Sequence, residues 1–394
     1  MRYADGPLRR RTGSLLCSSL LCSSFAFAFA TAKAPLGTVR VMTYNVWNFD
    51  SGANWAERKL AIARTVRFSR ADVVGFQEVR RAHDGSRDQL ADLKALLPEL
   101  PHVAYVVADP NVGGAEVDEG IALFSRWPLA AQSVETLALG EGGDANHRKC
   151  LYGLVTLPYA GSSVATLDAL DADAPSPPRH LAVFLTHWSF DRKQQLTNVQ
   201  GTLDFMAKTR TQSTAAARAP QLVMGDFNFY MDYEEPATVF AKGKGHHIPS
   251  YSTAKGDTVL PFVDLWNAPM TRGATVFAPA AAERPLASAK SWTFSNIAAL
   301  KNRPDRIFLQ TGRALDNDGV HGPSLTVARA ELHGQKEKNG LAPSDHLALL
   351  AELRVSSCAG GCAYCGGKVT ETTGLGQCLA CDEPVRVVTL FVIF

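Results

Sequence analysis

A chain of 394 residues, 46% hydrophobic and 20% charged, can bury one large core, which fits a folded globular protein with one main domain and appendages rather than several equal domains. The first 32 residues hold four arginines and one acid. The remainder, with 36 basic and 37 acidic residues, carries no basic surplus that would advertise nucleic acid as a partner, although total charge leaves a local basic groove possible.

At the amino terminus Arg9, Arg10 and Arg11 precede an apolar stretch from Leu15 to Ala30, and Ala28, Ala30 and Ala32 offer small-residue cleavage sites. This predicts a secretory signal peptide over residues 1–32 and a secreted protein; a plastid presequence would look similar around Phe25 to Ala30. The stretch is short for a membrane span and interrupted by four serines, and no second span follows.

Val39 to Val46 reads as a first strand that delivers Asn45 at its end. Trp55 to Ser69 reads as a helix, with Trp55, Ile62 and Val66 on one face and Glu57, Arg58, Lys59 and Arg64 on the others. Val73 to Phe76 is an apolar run ending in Gln77 and Glu78. Leu90, Leu93 and Leu97 mark a short helix closed by Pro98, and Asn111 to Gly120 reads as a Gly-rich acidic loop before a strand from Ile121 to Phe124. A strand is expected over Leu151 to Leu157, an exposed insertion over Gly161 to Pro178, and a strand from His180 that ends at His187. Leu196, Val199, Leu203 and Met206 recur at helical spacing, and a polar linker leads to the strand Gln221 to Met224. Gly225 then lets the backbone turn, and Asp226 and Asn228, two apart in extended chain, would project together. Further strands are expected at Ser291 to Phe294, Arg306 to Leu309, and Leu347 to Val355 after Ser344-Asp345-His346. The alternation argues for α/β layering.

Asn45, Glu78, His187, Asp226 with Asn228, Asp305, and Asp345 with His346 thus each fall at a strand boundary, and a sheet gathers such boundaries into one rim. In this order they resemble the endonuclease/exonuclease/phosphatase superfamily of metal-dependent hydrolases over roughly Thr38 to Val355. The resemblance implies a four-layer sandwich of two packed mixed β-sheets flanked by helices. Thr43-Tyr44-Asn45 and Gln77-Glu78 resemble the family's first two motifs, which implies a hard divalent cation, Mg²⁺ or Mn²⁺, on Glu78 with Asn45 and Asp345. Thr186-His187 is similar to the family's Thr-His step, which implies His187 on the scissile phosphate. Gly225-Asp226-Phe227-Asn228 implies Asp226 as activator of the attacking water with Asn228 beside it, and Ser344-Asp345-His346 implies His346 paired with Asp305.

The substrate is less legible. Pro304 and Asp305-Arg306-Ile307 match the late motif of inositol 5-phosphatases, but the Trp and Cys expected upstream are missing. An abasic-site endonuclease would act inside cells, against the signal peptide. The sequence therefore predicts a secreted phosphodiesterase acting on nucleic acid or a phospholipid such as sphingomyelin, with inositol-phosphate hydrolysis and a catalytically silent binding module as alternatives. Trp47, Trp188, Phe227, Phe229 and Tyr230 flank the motifs and read as core aromatics before substrate-stacking ones. His246-His247, with no further ligand type nearby, reads as a solvated loop.

The main domain is thus expected over residues 33–355 and a Cys-rich tail over residues 356–394, where Cys358, Cys362, Cys365, Cys378 and Cys381 lie among glycines. Their CxxC spacing suits structural Zn²⁺. With Cys150 the mature chain would hold six cysteines, compatible with three disulfides in an oxidising compartment, and the signal peptide tilts the choice that way.

Overall fold

The computed structural model describes residues 38–50, 54–139, 144–158, 180–229, 236, 239–240, 251–252, 258–259, 262–266, 293, 302–310 and 324–356. The signal segment, the 161–178 insertion, His246-His247 and the Cys-rich tail, with its disulfide and zinc alternatives, lie outside them. Described strands are β1 (Thr38–Asn45), β2 (Val73–Ala82), β3 (His102–Asp109), β4 (Val117–Ser125), β5 (Leu129–Leu137), β6 (Arg148–Thr156), β7 (His180–His187), β8 (Gln221–Asp226), β9 (Tyr251–Ser252), β10 (Thr258–Val259), β11 (Phe262–Asp264), β12 (Asp305–Gln310), β13 (Ser324–His333) and β14 (Ala348–Ser356). Helices are α1 (Trp55–Ser69), α2 (Gln89–Leu96), α3 (Arg192–Arg210) and α4 (Thr214–Arg218).

Two six-stranded mixed sheets result, ordered β13-β14-β1-β2-β4-β3 and β11-β12-β8-β7-β6-β5, with a separate β9–β10 hairpin pair. Each sheet has one parallel pair near its middle, β1 with β2 and β7 with β8, and antiparallel neighbours elsewhere. Each parallel pair is joined by a helical crossover, α1 in one case and α3 with α4 in the other, because parallel strands cannot be joined by a tight turn.

The period of two along β1 explains its place. Val39 and Val41 enter the core between the sheets, whereas Met42 and Tyr44 face the opposite way and pack with Ile62 and Val66 of α1. On the other sheet Phe184 and Val223 pack against Val199, Leu203 and Met206 of α3, while Leu185, Leu222 and Met224 meet the first sheet. The layers are therefore helix, sheet, sheet, helix, as the resemblance implied.

Several local expectations change. β3, half-buried, and β5, mostly exposed, lie at the outer edges of the sheets, where the apolar signal is weakest. β4 begins at Val117, so the last four residues of the expected acidic loop are sheet. Part of the polar linker after α3 is the short helix α4, capped by Ser213. Gly225 stays within β8 rather than turning out of it: a Cβ there would lie 2.0 Å from the Thr186 carbonyl oxygen, so glycine permits the close approach of β7. Cys150 is a free, fully buried thiol inside the α3-side core, where it packs as a small hydrophobe, and it therefore leaves the expected disulfide set. Trp188, Phe227 and Phe229 are fully buried in that same core; Tyr230 lies outside the described residues. Among the described residues no helix is long and apolar enough to cross a membrane.

Candidate active site

Register brings the polar strand ends together. Asn45 pairs with Gln77 across β1 and β2, His187 with Asp226 across β7 and β8, and Asp305 with Asp226 across β12 and β8. Both parallel pairs thus end at one rim, where Asn45 of the first sheet reaches Asp226 of the second. The Asn45 amide is the bridge: its Nδ2 donates to Glu78 Oε1 at 2.9 Å and to Asp226 Oδ2 at 3.0 Å. Its oxygen accepts the Trp47 N–H at 3.0 Å, so Asn45 is fixed in place as the holder of two carboxylates.

Glu78 does not sit at a strand end, as the apolar run suggested. β2 continues to Ala82, and the register with β4 shifts between Phe76 and Val79. Glu78 lies within this bulge at φ 58°, a left-handed backbone that costs a non-glycine residue and re-aims its side chain. Asn48 holds the carboxylate there, donating from its backbone N (3.3 Å) and Nδ2 (2.9 Å) to Oε2. Burial works to raise the Glu78 pKa, but the neighbouring histidines and the amides of Asn45 and Asn48 outweigh it and hold the carboxyl below its usual range.

Asp226 is the hub. Its Oδ1 accepts the Asn228 N–H at 2.9 Å, closing a turn in which Asn228 takes φ 52°. That left-handed residue breaks the extended backbone on which the expected common projection of the two side chains rested, and Asn228 Nδ2 donates to the Trp188 carbonyl at 2.8 Å. Two imidazoles flank Asp226 Oδ2, with His187 Nε2 and His346 Nε2 each 3.7 Å away. These spacings exceed a hydrogen bond.

The histidines differ in charge. Burial and the Arg148 charge push His187 down to about 4, so it is neutral near pH 7. Burial also disfavours charge on His346, but Asp305, whose Oδ2 lies 2.8 Å from His346 Nδ1, outweighs it and holds the imidazolium well above the ordinary histidine range. Asp305 Oδ1 is buried with no hydrogen-bond partner among the described residues. Arg303 and Arg306, adjacent candidates for pairing with Asp305, both bind Asp264 Oδ2 instead, at 2.9 Å each. Asp345 is raised to about 6 by burial and by the charges of Glu78 and Asp226.

The Asp345 carboxyl, whose ionisation burial, Glu78 and Asp226 oppose, lies in a cluster that also holds a buried carboxylate oxygen without a hydrogen-bond partner among the described residues, and such a donor set suits a hard divalent cation. Asp226, Asp305 and His346 also present ligand atoms within 4.8 Å of one another.

Sequence reasoning missed Arg58, placing it on a polar helix face. It is buried, with Nη1 donating to the carbonyls of Val46 (2.8 Å) and Pro343 (3.0 Å) and Nη2 to those of Trp47 (2.7 Å) and Asn48 (3.1 Å). Its guanidinium stands 5.1 Å from the Trp47 ring and 5.3 Å from that of Trp55. Arg58 thereby ties the loop carrying Asn48 to the segment preceding Ser344, whose Oγ donates to the Asn45 carbonyl at 2.7 Å. The available signal was spacing: Arg58 lies three residues after Trp55 and four before Ile62, on the buried face. Asn48, Arg148 and Asp264 carried no comparable signal.

Residues 42–346 match the family described as Endonuclease/Exonuclease/phosphatase. No curated protein matches the sequence. Among solved structures, a family protein from Bacteroides thetaiotaomicron superposes with TM-score 0.53 at 18% identity, covering 81% of this chain and 98% of that one. A second, from Beutenbergia cavernae, gives 0.52 at 20% identity over 81% and 72%. The human Nocturnin catalytic domain with bound sulfate anion gives 0.52 at 17% identity over 81% and 94%. At such identities these likenesses establish a shared fold.

Proposed function

The chain belongs to the endonuclease/exonuclease/phosphatase family, and on that premise we propose that it is a secreted, divalent-metal-dependent phosphoester hydrolase that cleaves phosphodiesters. One observation carries the reading: the imidazoles of His187, at the end of β7, and His346, just before β14, each stand 3.7 Å from Asp226 Oδ2, to which Asn45 of β1 donates while its same nitrogen holds Glu78. A binding module would have no need to bury so many ionisable groups at one rim. Export rests on the arginine-led apolar stretch of the first 32 residues.

Glu78 and Asp345 would hold Mg²⁺ or Mn²⁺, steadied by Asn45 and Asn48. Bound there, the cation supplies positive charge to the phosphoryl oxygens. Asp226, fixed at Oδ1 by the Asn228 N–H and at Oδ2 by Asn45, orients the attacking water and takes its proton. His346, kept protonated by Asp305, offers Nε2–H to a phosphoryl oxygen, and its charge favours the transition state over the ground state. Neutral His187 holds a second oxygen by hydrogen bonding on the other side of Asp226.

The test is hydrolysis by the purified chain with Mg²⁺ and with chelator, offering DNA, RNA, sphingomyelin and inositol phosphates in parallel. Chelator-sensitive cleavage of a diester is expected. Turnover that survives complete chelation, or none on any substrate, refutes the reading.

A further inference from the structure

Helix α3 carries a second stripe beside its apolar one. Val199, Leu203 and Met206 pack into the core, as their spacing requires, but Gln195, Asn198 and Thr202 recur at i, i+3 and i+7 and are buried too. Two carboxamides in such a place are costly. Gln195 Oε1 and Asn198 Nδ2 are buried with no hydrogen-bond partner among the described residues, so each amide meets only part of its bonding capacity. Packing alone would favour apolar side chains at these positions.

The side-chain bonds of the stripe run to the two loops that leave the candidate active site. After β8, Gln195 Nε2 donates to the Asn228 carbonyl at 2.8 Å. After β7, Asn198 Oδ1 accepts the Ser189 N–H at 2.9 Å, and Thr202 Oγ1 accepts the Trp188 indole N–H at 3.2 Å. The loops are also bonded to one another: Trp188 N donates to the Asp226 carbonyl at 2.9 Å, and Asn228 Nδ2 to the Trp188 carbonyl at 2.8 Å. Asn228 stands at φ 52°, and a left-handed residue other than glycine persists only where its surroundings over-determine it. Its N–H, its carbonyl and its carboxamide are bonded to Asp226, Gln195 and Trp188 respectively, so the Gln195 bond ties that turn to α3.

We propose that Gln195, Asn198 and Thr202 are positioning residues: from one helix they set the spacing between Asp226 and His187, whose carboxylate and imidazole stand 3.7 Å apart, by fixing the residues that follow each of them. The role rests on the chain being a phosphoester hydrolase, in which those two side chains meet the water and the phosphate. The stripe acts through Asn228, Trp188 and Ser189 rather than on the reacting atoms. A helix holds such a geometry more tightly than the loops could by themselves.

The test uses the full chain with Mg²⁺ and bis(p-nitrophenyl) phosphate. It compares Gln195→Met and Asn198→Leu, which keep most of the volume and lose the bond, with Val199→Ala, which removes an apolar contact from the same helix. Gln195→Met and Asn198→Leu should each lower kcat about tenfold with KM and Mg²⁺ affinity within about twofold of wild type, since a misplacement on the order of 1 Å can cost as much as ~10²-fold. Val199→Ala should lower the unfolding midpoint and leave kcat within about twofold. Thr202→Val should lower kcat about threefold, and Thr202→Ser, which keeps the hydroxyl, should restore it. Hydrogen exchange reads the geometry without a substrate: the Asn228 N–H should exchange about tenfold faster in Gln195→Met, and the Trp188 N–H in Asn198→Leu, while the Leu185 and Val223 amides inside the strands keep their protection. Unchanged exchange at Asn228 and Trp188, or losses of kcat no larger than that of Val199→Ala, would overturn the inference and leave the hydrolase reading standing. A wild type that turns over neither this diester nor DNA, RNA, sphingomyelin or inositol phosphates would instead remove the hydrolase reading, and the positioning role with it.

Discussion

Replacing Arg58 by methionine keeps most of the side-chain volume and removes the guanidinium. Four main-chain carbonyls then lose a charged donor at 2.7–3.1 Å, three of them in the loop from Val46 to Asn48 and one at Pro343. A hydrogen bond to a charged group contributes about 1.5–3 kcal/mol, and an orphaned buried acceptor costs about 1–3 kcal/mol. The offset is the cost of burying the guanidinium, visible in a pKa lowered to about 10 chiefly by burial. Truncating one side of a buried polar network costs about 3–5 kcal/mol, and we expect Arg58→Met to fall there. For a domain of this size that lowers Tm by roughly 4–7 °C. Because Asn48 rides on the same loop and holds Glu78 Oε2, Mg²⁺ affinity should fall as well. Calorimetry and Mg²⁺ titration of the variant measure both effects, with Arg58→Lys, which restores charge but not the fork, expected to lie between. A loss of stability below about 1 kcal/mol with Mg²⁺ affinity intact would refute the clamp.

Asp226→Ala and His346→Ala should each reduce kcat by about 10²–10⁴ while leaving the unfolding midpoint within a few degrees; substantial turnover in both would sink their assigned roles. His187, lowered to about 4 in the fold against about 6.5 unfolded, binds its proton more readily in the unfolded chain. Its contribution is therefore intact above pH 6.5 and is lost as pH falls toward 4, up to about 3 kcal/mol; urea midpoints across that window should drop more steeply for wild type than for His187→Asn. Gly225→Ala would set a Cβ 2.0 Å from the Thr186 oxygen, part the β7–β8 pair and destabilise by about 3 kcal/mol or more, a value that equilibrium unfolding would read directly.

Legibility in the sequence followed burial. β7 and β8 are almost wholly buried, so their apolar runs announce them and the residues at their ends, His187 and Asp226. The two-layered packing of sheets did not follow from periodicity, because a period of two says which residues share a face and nothing about what that face meets. β5 lies at a sheet edge with most of its side chains in water, where no apolar pattern is required of it. Glu78 and Asn228 were found as residues but misplaced as geometry, for one reason: each takes a left-handed backbone conformation, at φ 58° and φ 52°. Extended-chain reasoning assumes that this does not happen outside glycine, and functional sites are where the assumption fails.

The motifs also conceal how the site is held to tolerance. Asp305 and Asp226 are 79 positions apart, yet they oppose one another in the β12–β8 ladder, and the same ladder fixes His346 through Asp305. A slip of one residue in that ladder would turn every β12 side chain to the other face and take the carboxylate from behind His346. The charge of His346 therefore depends on strand register, and register depends on the apolar run Ile307-Phe308-Leu309 choosing its faces correctly: Ile307 and Leu309 enter the core between the sheets while Phe308 joins the α3-side core. Three core residues with no chemistry of their own thus set the protonation of the group proposed to meet the phosphate, which is why the role proposed for His346 can be lost by substitutions that never touch it.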